Sequence, residues 1–333
     1  MVITKEEQVK TVVGGHRHIV ILGAGSSIAS CLHNPEENNK YLPSMDNCLD
    51  ILGLEDKYAS EIKKAKSKNL EVVFSQIYSH NPKSDLLSHL EKTLYEYFDN
   101  LYLPPTPTIY DYLVLSLRKK DLIATFNWDP FLWQAYERNL RFTDKLPTIL
   151  FLHGSVAVGI CENDKTFGPK GKICLKCKTP FSPTNILYPI TKKNYHVDSY
   201  IQDQWSILLH GLENPVRVTV FGYSAPKSDI EAISLMKNVY NNSKIREFTQ
   251  FEMIDIANKE FLTKSWKDFI FSHHYEMHDS FFESSIMKFP RRSGEVFKEN
   301  ILGGRFYEEN YPPKFDCLED MWVWFSRFLE YEK

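Results

Sequence analysis

Short apolar runs alternate with amphipathic stretches along much of the chain. The apolar runs are typical of buried strands, and they predict strands at 18–22, 122–126, 148–152, 216–221 and 251–256. The amphipathic stretches predict helices that begin near Ser26, span 130–140 and 197–212, and begin again near 227. Strands that alternate with helices indicate parallel pairing through right-handed crossovers. We therefore predict an α/β fold built on a Rossmann-like parallel sheet.

The alternation is interrupted by a long helical stretch. Residues 46–120 contain no clear strand and predict a helical insertion after the first strand–helix unit. Four apolar residues behind a possible cap at Ser84 share one helix face, namely Leu86, Leu90, Leu94 and Tyr97. A second stretch, residues 156–190, is rich in glycine, proline and lysine, and we expect it to be irregular. It carries a cysteine-containing insertion at about 156–185.

The last part of the chain is rich in aromatic residues and mostly helical in pattern. We assign residues 1–257 to the domain that carries the sheet and residues 258–333 to a helical C-terminal appendage. Trp322, Phe325 and Phe328 fit a helical core face, with a partner-docking helix as the alternative. His274 and His278 are also expected on a helix, at the surface or in an interface rather than on a metal.

Composition and charge limit the kinds of protein and of binding partner that the sequence is compatible with. The 40 Lys and Arg residues and 43 Asp and Glu residues give a net charge of −3, so direct nucleic-acid binding is not expected. Hydrophobic residues make up 43% of the chain, which excludes a disordered or collagen-like protein. The sequence has neither a signal-peptide pattern nor an apolar run of about 18 residues. We therefore expect no membrane span, a cytoplasmic location and reduced cysteines.

Polar or glycine-containing sequences follow four of the predicted strands. They begin at Gly23, Asn127, His153 and Gly222. Because ligands bind at the carboxyl ends of parallel strands, these sequences are expected to meet over one crevice if the strands are neighbours. Glycines before a helix let the backbone approach a pyrophosphate, and a histidine after a strand can act as a base. Taken singly, each also fits an ordinary turn or a structural histidine.

In this order, the four motifs resemble those of the SIR2 (sirtuin) superfamily. The family's opening motif, Gly-Ala-Gly-x-Ser, is matched at 23–27, and its Asn-x-Asp element by Asn127 and Asp129. Its His-Gly pair is matched at His153, and its Gly-x-Ser element at 222–224. On the last predicted strand, Asp255 stands where the family usually has a ribose-reading asparagine.

The resemblance implies that the chain binds NAD+ as its substrate, with the nicotinamide end near Asn127, Asp129 and His153. It implies that Asn127 orients a ribose hydroxyl or a water molecule, and that His153 acts as a base or polarises a hydroxyl. These two are the catalytic residues that it implies. The cofactor-binding residues that it implies are Gly23, Ala24, Gly25, Ser26, Ser27, Asp129, Gly222, Ser224 and Asp255.

Departures from the protein-deacylating sirtuins favour an NAD+ hydrolase. Those enzymes carry two Cys-x-x-Cys pairs on a zinc ribbon, whereas here Cys174 and Cys177 form one pair and Cys161 stands alone. Structural zinc needs four ligands, and His196 is a possible fourth, but we assign no metal. The helical insertion is also larger than deacylases usually have. An NAD+-dependent protein deacylase and a non-catalytic sensor of NAD+ or ADP-ribose remain as alternatives.

The same departures resemble the SIR2-like NADases of bacterial antiphage defence. Within that group, residues 265–292 resemble the tail of SIR2 subunits encoded beside a HerA-type hexameric ATPase/helicase. The resemblance implies a homo-oligomer, a HerA-type partner and a role in depleting cellular NAD+. Because a constitutive NAD+ hydrolase would kill its host, we expect activity to be gated by assembly or by a partner, with residues 258–333 as the assembly or partner surface.

Overall fold

The structure, a computed structural model, describes residues 2–12, 14–31, 42–190, 195, 198–226, 229–270 and 274–332. Its strands are β1 (Val2–Ile3), β2 (His18–Leu22), β3 (Leu122–Thr125), β4 (Thr148–Phe151), β5 (Val158–Cys161), β6 (Thr166–Pro169), β7 (Ser182–Pro183), β8 (Arg217–Phe221), β9 (Gln250–Ile254), β10 (Tyr275–His278) and β11 (Phe306–Tyr307).

The α-helices are α1 (Lys5–Lys10), α2 (Ala24–Cys31), α3 (Cys48–Ile51), α4 (Ala59–Ala65), α5 (Leu70–His80), α6 (Asp85–Asp99), α7 (Ile109–Leu115), α8 (Phe131–Asn139), α9 (Ser199–Gly211), α10 (Ile230–Asn241), α11 (Lys259–Trp266), α12 (Ser285–Lys288), α13 (Ser293–Leu302) and α14 (Leu318–Leu329). Within the part of the chain that the structure describes, no helix has both the length and the apolar character of a membrane-spanning segment.

A six-stranded sheet with the order β10-β9-β8-β2-β3-β4 lies at the centre of the molecule. All neighbouring strands in it are parallel. The chain runs outward from β2 to β4, returns to the other side of β2 at β8, and continues outward to β10. This is the doubly wound Rossmann order, so the prediction of fold class is confirmed. The winding reverses between β2 and β8, and a crevice is expected at their carboxyl ends.

The central strand β2 is buried along its whole length. Burial on both faces explains why its sequence is continuously apolar after His18 instead of alternating. His18 is accommodated by hydrogen bonds that join its two ring nitrogens to Ser293 Oγ and Thr219 Oγ1, both at 2.7 Å. Each neighbouring strand is in register with it, since Leu22 pairs with both Thr125 and Phe221. The three strands therefore end at one level, and their outgoing loops begin side by side.

The predicted helical insertion is present as α3 to α7, and no strand is described within it. Ser84 caps α6 as expected, its hydroxyl accepting the Leu87 N–H at 3.2 Å. The predicted buried face is correct at Leu90 and Leu94, whereas its outer positions are taken by Leu87 and Phe98 instead of Leu86 and Tyr97. Helix α7 is buried at every position and packs against α8 and α2, the helices that follow β3 and β2.

The stretch 156–190, expected to be irregular, forms a small antiparallel sheet with the order β6-β5-β7. Ile160 of β5 pairs with Phe167 on one side and Ser182 on the other. The strands are short and interrupted by glycine and proline, so the sequence pattern alone does not show them. Their pairing depends on contacts between segments that are distant along the chain.

The C-terminal segment is mostly helical, as expected, but it also contains two strands. Residues 275–278 form β10, which pairs in parallel with β9, so the prediction of a helix through His274 and His278 is wrong. Phe306 pairs with Val2, which ties the segment to β1. The core-face interpretation of α14 is confirmed at Phe325 and Phe328, which are buried, while Trp322 is half-buried against the core.

A buried charged cluster joins β8, β9 and β10. Glu252 is fully buried, and its carboxylate lies 3.6 Å from Arg217 Nη1 and 3.4 Å from His278 Nε2. Burial alone would raise the pKa of Glu252, but pairing with His278 and the Arg217 charge hold it well below its usual range. Pairing with Glu252 and Glu276 in turn raises the pKa of His278 to about 9. The cluster therefore holds the edge strand β10 in place through ionised partners.

Replacing His278 is expected to destabilise the protein in a pH-dependent way. The pKa of His278 in the folded protein, about 9, lies above the ordinary value of 6.5. The contribution of His278 to the free energy of unfolding is therefore fully present below pH 6.5 and is lost as the pH rises through 9. His278→Gln should lower the free energy of unfolding at pH 6 by on the order of 1–3 kcal/mol, with a smaller loss at pH values near 10. Urea denaturation measures both, with exposed His80→Gln as the control. An equal loss at both pH values would contradict the role of the charge.

Candidate active site

A cavity of about 330 Å³ lies at the carboxyl ends of the central strands. Loops after β2, β3, β4 and β8 reach it, together with residues of the helical insertion. Seven of the residues predicted for the site line this cavity, namely Gly23, Ala24, Asn127, Asp129, His153, Gly222 and Ser224. The predicted convergence of the four loops is therefore present in the fold.

The glycine loops are in direct contact with each other. The Gly25 N–H donates to the Gly222 carbonyl at 3.0 Å, and the Gly23 N–H donates to Phe221 at 3.0 Å. A Cβ atom at Gly23 would lie 2.5 Å from the Gly222 carbonyl oxygen, and one at Gly25 would lie 2.8 Å from Gly222 Cα. Gly222 itself has a φ of +61°, which other residues rarely adopt. Glycine is thus required here for the approach of two loops of the chain itself.

The side chain of Asn127 is fixed by the first loop. Its Nδ2 donates to the Gly23 carbonyl at 2.8 Å and to Ser27 Oγ at 2.9 Å. Tyr110 of α7 bonds through its hydroxyl to Ser26 Oγ at 2.8 Å and to Ser27 Oγ at 2.6 Å. Both serines are buried and lie behind the asparagine. With its nitrogen engaged, Asn127 keeps its amide oxygen as an acceptor for a ligand.

Tyr110 is a site residue that the sequence did not indicate. It is fully buried and belongs to the helical insertion, 17 residues before Asn127. Burial and the nearby Asp129 charge hold its pKa far above the ordinary value, so the hydroxyl stays protonated. A tyrosine within the apolar sequence of α7 looks like any core residue, and only the fold shows that it supports Asn127.

Asp129 presents a buried carboxyl group to the cavity. One of its oxygens accepts the Phe131 N–H at 3.1 Å, which anchors the start of α8. Burial raises the pKa of Asp129 to about 6, despite the opposing effect of its hydrogen bond with Ser27. This group therefore changes charge close to neutral pH, unlike an ordinary exposed carboxyl.

His153 follows β4 and is buried among aromatic rings. Its ring meets Phe126 edge-on with a centroid distance of 4.9 Å, and Phe126 stacks on Tyr223 at 4.3 Å. The Tyr195 hydroxyl lies 3.3 Å from His153 Nε2. Two aromatic residues thus contact the imidazole, and both of them, Phe126 and Tyr195, are site residues that the sequence did not indicate.

Asp255 lies at the end of β9, one strand beyond β8. Its carboxylate accepts the Ala257 N–H at 2.9 Å, an ordinary turn contact. It is not among the described residues that line the cavity. A ribose-reading role for Asp255 therefore remains a prediction from the resemblance.

A second cluster of functional groups lies on the small antiparallel sheet. Sγ of Cys161 is 3.2 Å from Sγ of Cys177, and Sγ of Cys174 is 3.3 Å from an Asp164 carboxylate oxygen. The four candidate ligand atoms all lie within 4.8 Å of one another. Three thiols and a carboxylate suit a tetrahedral zinc ion. Asp164 takes the place considered for His196, which lies outside the described residues.

We expect the reduced protein to bind one Zn²⁺ ion at this cluster. Even outer-shell partners contribute about 10- to 100-fold to metal affinity, so losing a ligand in Cys174→Ser or Asp164→Asn should cost at least about tenfold. Metal analysis and competition with a chromogenic chelator measure this, with Cys317→Ser, outside the cluster, as the control. Reduced protein without zinc, or an oxidised Cys161–Cys177 pair in its place, would contradict the expectation.

Asp129→Asn is expected to stabilise the protein at neutral pH. Because the folded pKa of about 6 exceeds the ordinary 3.8, ionising this carboxyl in the folded protein costs stability as the pH rises between these values. The asparagine keeps an oxygen that can accept the Phe131 N–H. The free energy of unfolding of the variant should therefore be higher than that of the wild type by about 1–3 kcal/mol at pH 7, with almost no difference below pH 4. Chemical denaturation tests this against exposed Asp203→Asn. Destabilisation at pH 7 would show that the carboxylate is needed for folding.

Comparison with solved structures finds Sir2 homologues. A Sir2 homologue in complex with NAD has a TM-score of 0.40 and 15% identity, with 89% of this chain and 91% of that chain covered. A histidine-to-asparagine mutant of a Sir2 homologue in complex with ADP-ribose has a TM-score of 0.40 and 16% identity, covering 89% and 94%. A Sir2 mutant with a deacetylated p53 peptide and 3'-O-acetyl ADP-ribose has a TM-score of 0.39 and 12% identity, covering 90% and 97%.

No protein-family model matches the chain, and no curated protein matches it.

Proposed function

We propose that this chain is an NAD+ hydrolase, which converts NAD+ and water to nicotinamide, ADP-ribose and a proton. The observation that carries the proposal is the meeting of Asn127, Asp129 and His153 on one cavity at the switch point of a doubly wound sheet. Nucleotides bind at such switch points in folds of this kind. The order of the motifs, which resembles that of the SIR2 superfamily, supports NAD+ as the nucleotide.

The charge of the cavity also supports this substrate. Its walls carry the carboxyl groups of Glu71, Asp129 and Asp229, and no lysine or arginine is among the described lining residues. The nicotinamide ring of NAD+ is cationic, and the ribose becomes cationic as the glycosidic bond breaks. Carboxylates fixed in a partly water-excluded cavity stabilise developing positive charge.

The site residues then have distinct tasks in the proposed reaction. The amide oxygen of Asn127 accepts a ribose hydroxyl or the attacking water and so fixes its position. The bond between ribose C1′ and the nicotinamide nitrogen breaks, and its electron pair remains on the nicotinamide, which leaves as a neutral molecule. Water attacks C1′ and forms the new C–O bond, while His153 takes the released proton and passes it to solvent.

A second candidate function is NAD+-dependent protein deacylation. The observation that favours it is the cluster of Cys161, Asp164, Cys174 and Cys177, because deacylating sirtuins carry a zinc ribbon at this position in the sequence. In that reaction an acyl group, instead of water, would supply the nucleophile at C1′. The two functions share Asn127 and His153 and differ in the acceptor, so an acyl-lysine peptide distinguishes them.

We further propose that the hydrolase acts in bacterial antiphage defence by depleting cytoplasmic NAD+. This rests on the resemblance to SIR2 subunits encoded beside a HerA-type hexameric ATPase/helicase. Activity would depend on assembly, either into a homo-oligomer or with that partner, so that a lone monomer is inactive. Full turnover by an isolated monomer would contradict this gating.

NAD+ consumption by the purified chain tests the hydrolase. With no acyl peptide present, the wild type should convert NAD+ to ADP-ribose and nicotinamide. Asn127→Ala and His153→Ala should each reduce the rate by about 100-fold or more, since a positioned base contributes about 100- to 10,000-fold. Chromatography with mass spectrometry identifies the products. His210→Ala, on the exposed end of α9, is the matched control and should keep the wild-type rate.

If the wild type is inactive, two additions separate the alternatives. Turnover that requires an acyl-lysine peptide and yields an acylated ADP-ribose would establish the deacylase. Turnover that requires a HerA-type ATPase would establish the gated hydrolase. Tight NAD+ binding without cleavage under every condition would leave the sensing role and contradict both enzymatic functions.

A further inference from the structure

Asp229 occupies a helix cap position but points its side chain elsewhere. It is the N-cap of α10, where an aspartate normally accepts hydrogen bonds from the first helical amides. Here its side chain makes no capping hydrogen bond to the described amides of the helix. A lost cap costs about 1 kcal/mol, so the diverted carboxylate needs another explanation.

The carboxylate of Asp229 faces His153. One oxygen lies 3.9 Å from His153 Nε2, and the other accepts a hydrogen bond from the Tyr223 hydroxyl at 2.9 Å. The aspartate is only 4% exposed, so water does little to screen its charge. Its position at the amino end of α10 also favours a negative charge, because the helix dipole is positive there.

Aromatic packing fixes this pair. Tyr223, which binds Asp229, stacks on Phe126, and Phe126 also makes an edge contact with the His153 ring. The ring of Phe126 therefore packs against both Tyr223 and His153. The backbone carbonyl of Tyr223 also accepts the Trp266 indole N–H at 3.3 Å. Burial and the Asp229 charge hold the pKa of Tyr223 far above its usual range, so its hydroxyl remains a donor.

We propose that Asp229 is a positioning residue for the hydrolase, which orients His153 and stabilises the imidazolium formed when His153 takes the proton released by the attacking water. The inference rests on the proposed function and names a part of its proton pathway. The proton moves from water to His153, and the new positive charge lies beside the Asp229 carboxylate until the proton leaves to solvent. Asp229 itself gains no proton and forms no bond to the substrate.

Other titratable groups also lie near His153. Tyr195 contacts it directly, and its pKa is held far above the usual range by burial and by the charges of Asp229 and Glu231. Asp129 lies on the wall of the same cavity. A neutral tyrosine contributes little charge, whereas the Asp229 carboxylate lies 3.9 Å from His153 Nε2.

The test compares Asp229→Asn and Tyr223→Phe with the wild type by two measurements. Histidine-selective NMR, assigned with His153→Gln, follows the titration of the His153 imidazole without any substrate. Asp229→Asn should move the midpoint about one pH unit lower, which corresponds to a tenfold change in proton affinity. Tyr223→Phe keeps the ring stack and should cause a smaller shift of the same sign. Asp129→Asn shows how much of any shift the second carboxylate causes.

NAD+ cleavage supplies the second measurement. In Asp229→Asn, kcat should fall about tenfold, KM should change less than kcat, and the acidic limb of the pH profile should move to lower pH. An unmoved NMR midpoint in Asp229→Asn with kcat within about twofold of wild type would overturn the inference and leave the hydrolase intact. If neither the wild type nor any variant cleaves NAD+, even with a HerA-type ATPase added, the proposed function fails, and the NMR midpoint alone decides the pairing. If Asp229→Asn does not fold, Tyr223→Phe decides it.

Discussion

The structure depends on the contact between the loops that leave β2 and β8. These strands are neighbours because the winding of the sheet reverses between them, so their outgoing loops must pass within van der Waals distance. Gly23, Gly25 and Gly222 make that approach possible, with Gly222 in a left-handed conformation. A side chain at any of the three would push the loops apart. Asn127, which we place at the substrate ribose, is hydrogen-bonded to the Gly23 carbonyl, so such a shift would also displace its side chain.

The β8–β10 cluster and the cavity differ in how buried charge is compensated. In the β8–β10 cluster, Glu252 is surrounded by Arg217, His278 and hydroxyl donors, and its pKa is lowered. In the cavity, Asp129 has few donors, and burial raises its pKa. Uncompensated charge costs folding free energy, and functional sites are where proteins retain such groups. The contrast supports a catalytic or binding role for the cavity.

The sequence predicted the central sheet because its strands are short, continuous apolar runs, and it predicted the meeting of Asn127 and His153 because both follow such runs. It did not predict what depends on distant pairing. The edge strand β10 has a mixed burial pattern and forms only against β9. Tyr110 comes from a helix of the insertion and Asp164 from a polar loop, and neither carries a local pattern that distinguishes it. These residues can be assigned to their sites only from their contacts in the folded chain, because the periodicity of the sequence does not distinguish them.

The most direct test of the account is a structure of the His153→Ala variant in complex with NAD+. The account predicts that the nicotinamide ribose lies in the cavity beside Asn127 and Asp129, with the pyrophosphate near Gly23 and the start of α2. It also predicts that C1′ is open to the space left by the imidazole. NAD+ bound in the opposite direction, with adenine beside Asn127, or bound outside this cavity, would contradict it.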